Sequence, residues 1–366
     1  MNDRTRGWIR LFLVPFLNLV LAFVVAGLVV LMIGENPLRA LRILLTGALG
    51  SSYGIGYTLY YATSFTFTGL AVAIAFHGSL FNIGGEGQAG VAGIGVAVVC
   101  LSIVGDTHWV LAFPLAIAGA AFAGAAWAAI PAYLQASRGS HVVITTIMFN
   151  FIASALLVYL LVNVLKVEGS MAPESRKFGD GARMPFMHEL AGWIGIRISR
   201  TPMNISFLLA VACTFLTWVL IWRTRLGYEI RAFGQSETAA VYAGISPVRI
   251  TMATMLLSGG MAGLMALNTV MGEASRLVLD AVQGAGFVGI AVALIGRSHP
   301  VGVFLAAILF GILYQGGAEL AFEMPAISRE MIVVIQALVI LFTGALENLV
   351  RFPVEGFLRK FREAGN

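Results

Sequence analysis

The sequence predicts an all-α polytopic membrane protein with about ten transmembrane helices and both termini cytoplasmic. Three observations carry that expectation. The 366 residues are 59% hydrophobic, only 11% are charged, and the mean hydropathy is +0.89. Soluble domains carry about 25% charged residues, so an ordinary soluble enzyme, a disordered chain and a disulfide scaffold are excluded. Glycine is abundant at 42 residues, which suits helices that approach closely inside a bilayer. Cys100 and Cys213 both lie in apolar runs and read as small core residues, not as a redox pair or metal site. The net charge of +5 and pI near 9.4 come from basic residues that cap apolar segments. They act as topology determinants, and no nucleic-acid partner is expected.

Stretches free of Asp, Glu, Lys and Arg give the spans in order: 11–34, 43–85, 87–105, 107–137, 139–165, 201–222, 250–272, 281–296, 298–318 and 331–346. Each can hold one helix of about 20 residues, although 281–296 and 331–346 are short for that. The first run follows Arg4, Arg6 and Arg10 as a signal peptide would. At 24 residues it is too long for a signal core and has no small-residue cleavage site. The 43–85 stretch exceeds one helix, so its span is placed at about 57–78, with 37–56 as a partly buried extracytoplasmic segment.

Ten spans put both termini on one side. With that side cytoplasmic, thirteen Lys/Arg fall inside: Arg4, Arg6, Arg10, Arg138, Arg223, Arg225, Arg231, Arg249, Arg297, Arg351, Arg359, Lys360 and Arg362. Four fall in short outside loops: Arg39, Arg42, Arg276 and Arg329. The asymmetry obeys the positive-inside rule. The 166–203 loop, assigned outside, runs against it with six Lys/Arg. The whole chain, 1–366, is taken as one transmembrane domain, with 166–203 extracytoplasmic and 223–249 cytoplasmic. Gly69–Gly78 resembles Gly289–Ser298 as a weak internal repeat, and transporters are commonly built from duplicated halves. Short Gly/Ala/Val runs also match by chance.

Two segments stand out chemically. Leu80–Gln88 packs three glycines, Asn82, Gln88 and Glu86 into nine residues. Gly-rich backbone at membrane depth needs protein or water to satisfy it, and an ionisable group there marks a functional site by default. The alternative is a cytoplasmic turn whose Glu86 caps a helix N-terminus. A structural or gating role is preferred to direct substrate contact. The segment is not a phosphate-binding loop, because no Lys-Ser/Thr follows its glycines. The other segment, 224–246, is the longest charged stretch assigned to the cytoplasm. Its Ser236-Glu-Thr-Ala239 has the form of a helix start, and a short amphipathic helix there suits a groove in another protein. On composition alone an ordinary connecting loop explains it better.

His77, Asn150, Tyr159, Ser258, Asn268 and Gln336 are read as interhelical hydrogen-bonding groups. No nucleotide-binding motif, zinc spacing, nucleophile elbow or paired-carboxylate constellation is present. No catalytic residue, metal or cofactor is therefore expected in this chain, and energy for uphill movement must come from a partner or an ion gradient.

Four motifs occur in order: Phe81-Asn-Ile-Gly-Gly-Glu-Gly-Gln88, Val142-Val-Ile-Thr-Thr-Ile-Met-Phe-Asn150, Ile230-Arg-Ala-Phe-Gly234 with Ala239-Ala-Val-Tyr-Ala-Gly-Ile245, and Gly286-Phe-Val-Gly-Ile-Ala-Val-Ala-Leu-Ile-Gly296. Together, over about 57–346, they resemble the permease subunits of bacterial ABC importers of the sugar and nucleoside class, related to branched-chain amino acid permeases. The form is most like the larger permease of nucleoside importers. Ser140-His141 departs from the family's common Asn-Glu before Val142.

The resemblance implies a multi-pass protein of the bacterial inner membrane that moves nucleosides by alternating access. It also implies an ATPase subunit with two nucleotide-binding cassettes that binds the ATP, a second homologous permease or a copy of this chain, and an extracytoplasmic substrate-binding lipoprotein. It makes 225–246 a coupling segment, with Arg231, Gly234, Glu237 and Ala240 toward the ATPase. Phe81, Asn82, Glu86, Gln88 and Asn150 become candidates for the translocation path or its gating. A permease for ribose-type sugars or another small polar solute is the alternative within the class. An ion-driven secondary transporter and a membrane-embedded enzyme are the alternatives outside it.

Overall fold

A computed structural model describes residues 14–102 and 108–342. Arg4, Arg6, Arg10, Arg351, Arg359, Lys360 and Arg362 lie outside the described residues, as does the end of the 331–346 stretch. The described residues form fourteen α-helices with only isolated β-bridges among them, so the chain is an all-α polytopic membrane protein.

The contacts divide it into two compact units, drawn from the described parts of Met1–Ser51 with Ile312–Asn366, and from Ser52–Gly311. In the first unit, α1 (Val14–Met32) meets α2 (Pro37–Leu49), and their axes from Val20 onward bend by 119°. Asn36 makes the corner. Its side chain accepts from the N–H groups of Leu38 and Arg39, and Pro37 supplies a preset first helical residue. Residues 37–49 are thus a capped amphipathic helix that buries Ala40, Ile43, Leu44 and Ala48. Their partners are Leu320 and Met324 around the end of α13 (Pro300–Glu323), and Ile332 and Ile335 of α14 (Arg329–Ile340). The first half of α13 belongs to the second unit.

The second unit is built around α3 (Ser52–His77), which starts five residues earlier than expected and is almost wholly buried. Its burial in apolar surroundings is possible because its threonines return their hydroxyls to their own helix: Thr63 to Leu59 O (2.7 Å), Thr66 to Ala62 O (2.7 Å) and Thr68 to Ser64 O (3.2 Å). Around it lie α4 (Gly85–Ser102), α5 (Trp109–Arg138), α6 (Val142–Asn163), a short α7 (Met187–Trp193), α8 (Ser206–Arg223), α9 (Arg225–Gln235), α10 (Glu237–Tyr242), α11 (Pro247–Gly263) and α12 (Ala285–Ile295). The most extensive packing joins α5 to α11. On α5 every fourth residue from 112 to 132 is Ala or Gly, and all six are buried. This stripe of small side chains lets the backbones close on each other. A Cβ at Gly124 would fall on the carbonyl oxygen of Gly259, so larger residues cannot keep this crossing.

Among the described residues seven helices are long and apolar enough to span, counting α11 with the π-helical turn Leu267–Ala274 as one, and the bent α1–α2 pair raises the number to eight. The stretches 281–296 and 331–346 supply only short apolar helices, of 11 residues in α12 and 12 in α14. Their shortness explains the difference from ten full spans. In α12 the cause is local: residues 275–284 form an irregular segment that contains left-handed Ser275, Gln283 and Gly284.

The repeat-like segments are neighbours. Gly289 packs on Thr68, Gly69 on Val292, and the His77 ring nitrogen lies 3.0 Å from Ser298 O, so α12 runs parallel to the second half of α3. Its first residue, Ala285, sits level with the middle of α3. The 26 residues of α3 rise roughly 39 Å, longer than a bilayer's hydrocarbon core. One helix of the pair is therefore long enough to cross such a layer, while the other runs beside only its second half.

Candidate functional site

The first site is the segment between α3 and α4. After His77 the chain reverses through left-handed Ser79 (φ 52°). It then turns back along α3, so α4 begins at depth and not at the surface. The polar side chains on this path have partners. Asn82 Nδ2 donates to Gln88 Oε1 (2.9 Å) and Ser258 Oγ (2.8 Å), while its Oδ1 accepts from Gly84 N (2.9 Å) and Gln88 Nε2 (3.0 Å). Ser258 Oγ in turn donates to Ala71 O at 2.6 Å. From α6, Asn150 takes the Gly87 N–H (2.9 Å) and gives its own to Ile83 O (3.0 Å). Phe81 stacks on Phe76 with ring centroids 5.2 Å apart.

Glu86 stands in the first turn of α4 but caps another helix. Its two carboxylate oxygens accept from Gly284 N (2.9 Å) and Gly286 N (2.8 Å), at the N-terminus of α12. A carboxylate there satisfies free N–H donors and opposes the positive end of the helix dipole. Four of the five residues singled out in the sequence, Asn82, Glu86, Gln88 and Asn150, thus form one clasp that ties the start of α4 to α6 and α12, while Phe81 stacks on Phe76 beside it.

The second site is the 224–246 segment, which folds as two helices. Thr224 caps α9 by accepting from Gly227 N (3.0 Å), and Ser236 caps α10 by accepting from Ala239 N (3.3 Å), as its sequence indicates. Ile230, Phe233 and Ala240 face inward with Ile250 of α11. Arg231 Nε donates to Ile221 O (3.1 Å). Gly234 packs so tightly that a Cβ would fall on His77 O, and Ser79 Oγ donates to Gly234 O at 2.7 Å. Of the four residues expected to face outward, Arg231, Gly234 and Ala240 therefore seat the segment, and Glu237 is exposed beside Val241 and Tyr242, the latter 89% exposed.

Of a third constellation, in the first half of α3, only Asn268 was named from the sequence, as an interhelical hydrogen-bonding group. Asn268, on the π-helical turn, is a buried hub. Its Nδ2 donates to Tyr60 O (3.0 Å) and Ser64 Oγ (2.9 Å), and its Oδ1 accepts from Asn204 Nδ2 and Ser206 Oγ, each at 3.0 Å. Five residues on, Glu273 accepts the Tyr60 hydroxyl. The 166–204 segment packs here through the Arg276–Glu174 ion pair, Leu277 N to Ser175 Oγ (2.9 Å) and Ser52 to Ser199 (2.5 Å). The available signal was the spacing Tyr53, Tyr57, Tyr61 together with an acid at the end of an apolar run. Among the other polar groups named from the sequence, Tyr159 alone departs from its expectation: it is 60% exposed and faces outward. Among the described residues an apolar surface groove of about 430 Å³ lies between α8 and the start of α13, with Thr214 the one polar residue in its lining. It offers a polar solute almost nothing to bind.

Comparison with known proteins agrees with this architecture. Residues 54–344 match the family described as branched-chain amino acid transport system / permease component. A guanosine ABC transporter permease of Bacillus subtilis is 34% identical over 95% of this chain and 97% of its own length. A nucleoside ABC transporter permease of Lactococcus lactis is 30% identical over 98% and 95%. A glucose ABC transporter permease of Haloferax volcanii is 34% identical over 93% and 89%. No solved structure matches.

Proposed function

The chain belongs to the branched-chain amino acid transport system permease-component family, and from that premise we propose that it is the membrane-spanning subunit of an ABC importer for nucleosides. The observation that carries the substrate class is the nearly full-length match to guanosine and nucleoside permeases. The glucose permease at equal identity favours a second reading, a sugar importer of the same design. In either case this chain supplies the path, and ATP is bound and hydrolysed on a separate ATPase subunit. A second permease, or a copy of this chain, and an extracytoplasmic binding protein complete the assembly in a bacterial inner membrane.

On this reading the 223–249 segment lies in the cytoplasm and 166–203 outside. The exposed face of Tyr228, Glu237, Val241 and Tyr242 meets the ATPase, and two aromatic anchors on a small helix suit a hydrophobic groove. Behind that face the seating is rigid. Gly234 rests on the end of α3, and His77 ties α3 to the end of α12, so a push on α9 and α10 moves both helix ends together. The Glu86 clasp sits at the far end of α12 and holds the half-length helix against α4. Rocking of this rigid pair against the partner permease alternates access to the path between them.

The test is uptake of labelled guanosine by cells carrying the complete importer. Uptake should vanish when the ATPase loses its phosphate-binding lysine, and unlabelled nucleosides but not glucose should compete. Competition by glucose alone moves the assignment to hexoses, and uptake that survives without ATP hydrolysis rules out the importer.

A further inference from the structure

The end of α3 remote from the 224–246 segment carries aromatic residues in a pattern that core packing does not need. Tyr53, Tyr57 and Tyr61 recur every fourth residue and so lie along one helix face. Tyr53 is 44% exposed, Tyr57 and Tyr61 are half-buried, and the series ends inward at buried Phe65. Tyr53 and Tyr57 have ring centroids 4.8 Å apart, Tyr61 stacks on Phe65 at 6.5 Å, and Phe65 meets Phe310 edge-on at 6.2 Å. Beside the series stands Glu273, an exposed carboxylate that accepts the hydroxyl of Tyr60, whose ring meets that of Tyr61 edge-on at 5.4 Å. A lipid-facing carboxylate is costly, so an acid exposed at this level belongs to a water-filled space. The tyrosines next to it share that space.

The carboxylate is also held in place. It sits on a π-helical turn, a distortion common at functional sites, whose wide backbone is pinned by the Asn204–Ser206–Asn268 hub. Gly272 lies so close to the Asn204 amide that no side chain fits there. An ionised carboxylate has about four acceptor positions. The Tyr60 hydroxyl takes one. The remaining positions match the two adjacent hydroxyls of a sugar ring, and the tyrosine faces match either a nucleobase or the apolar face of a sugar.

We infer that Tyr53, Tyr57 and Tyr61 form a stacking rail that leads a sugar-bearing solute to Glu273, whose carboxylate accepts the hydroxyls of a vicinal diol. This rests on the importer reading above and deepens it: the recognised group is the diol, which nucleosides and hexoses share. The rail lies at the end where 166–204 packs, which that reading places on the outer side, where the binding protein delivers its load.

The experiment compares uptake of uridine and 2′,3′-dideoxyuridine by the complete importer bearing Glu273→Gln, Tyr60→Phe or Tyr57→Leu, at matched membrane abundance. Loss of a charge-assisted contact predicts a rise of about tenfold in the uridine KM for Glu273→Gln, with the dideoxy analogue changed by less than about twofold. Tyr60→Phe removes the internal donor but leaves the carboxylate, so both solutes should shift together and slightly. Tyr57→Leu should weaken both solutes by a common factor, because both carry the base. An equal effect of Glu273→Gln on both solutes makes Glu273 a structural partner of Tyr60 and overturns the diol site. Unchanged uptake in Tyr57→Leu makes the tyrosines an aromatic belt at the membrane surface. If the importer carries glucose and no nucleoside, the substrate reading fails while the diol site is tested with glucose against its deoxy analogues. If it carries neither class, both fall.

Discussion

The two ends of α3 are built on opposite plans. At the Ser79–Gln88 end, both polar atoms of Asn82, Gln88, Glu86 and Asn150 are engaged by the protein itself, and a glycine backbone lets four helices meet. At the Tyr53–Tyr61 end, a buried hub is equally well paired, but it presents a carboxylate with acceptor capacity to spare. The difference teaches that a dense polar motif in a membrane protein need not touch the solute. A motif can be dense because irregular backbone at depth has to be satisfied. The surface for the solute can be sparse, a single acid on a braced platform.

The most severe way to break the first plan is Gly234→Trp. Any side chain there collides with His77 O, so the coupling helices cannot seat. Uptake should fall below about one hundredth while the chain still inserts, as judged by abundance in isolated membranes. Normal uptake at normal abundance would sink the coupling role. Asn82→Leu comes next. It strands Gln88, Ser258 and the Gly84 N–H in the protein interior, at about 1–3 kcal/mol each. Thermal unfolding in detergent should show a clear loss of stability, and an unchanged melting curve would mean that the clasp is not what holds the re-entering segment.

Tyr242→Ala should weaken capture of the ATPase by about tenfold in detergent pull-downs and leave folding intact, since the ring is exposed. Glu86→Gln sharpens the comparison between the two ends. It keeps an acceptor for α12 but removes the charge, worth about 0.3–1 kcal/mol at a helix end and up to about 2 when buried. Transport rate should drop several-fold with solute preference unchanged. An altered preference at an unaltered rate would place Glu86 in the path and erase the contrast. The smallest effect belongs to Glu237→Ala, an exposed acid whose loss should change ATPase capture by less than about threefold.

Much of this was legible in the residues, and for different reasons in different places. The long spans follow from runs free of charge, and the start of α10 follows from Ser236 ahead of Glu237. The clasp was visible as an oddity, because three glycines with Asn82, Glu86 and Gln88 are unlike a lipid-facing helix. That Glu86 caps a helix 198 residues downstream was not visible, since no local pattern encodes which distant N-terminus a carboxylate will meet. The inward turn of Arg231, Gly234 and Ala240 was hidden likewise. Exposure on an 11-residue helix depends on what it docks against, and here that is the end of α3. The stretch 281–296 read as short for a span, but that its helix begins only at Ala285 escaped because residues 281–284 are uncharged and apolarity does not distinguish helix from irregular chain. Glu273 was overlooked because a lone acid after an apolar run reads as the end of a span.

The docking of α9 and α10 separates what a lineage can alter from what it cannot. Gly234, Ala240 and Arg231 are locked to the body of the permease, whereas Tyr228, Glu237, Val241 and Tyr242 lie exposed on the outer face of the segment. On the importer reading proposed above, partner identity is written on four side chains laid over a fixed mount. Grafting those four from a relative would then exchange one motor subunit for another, as a key is recut without changing its bow.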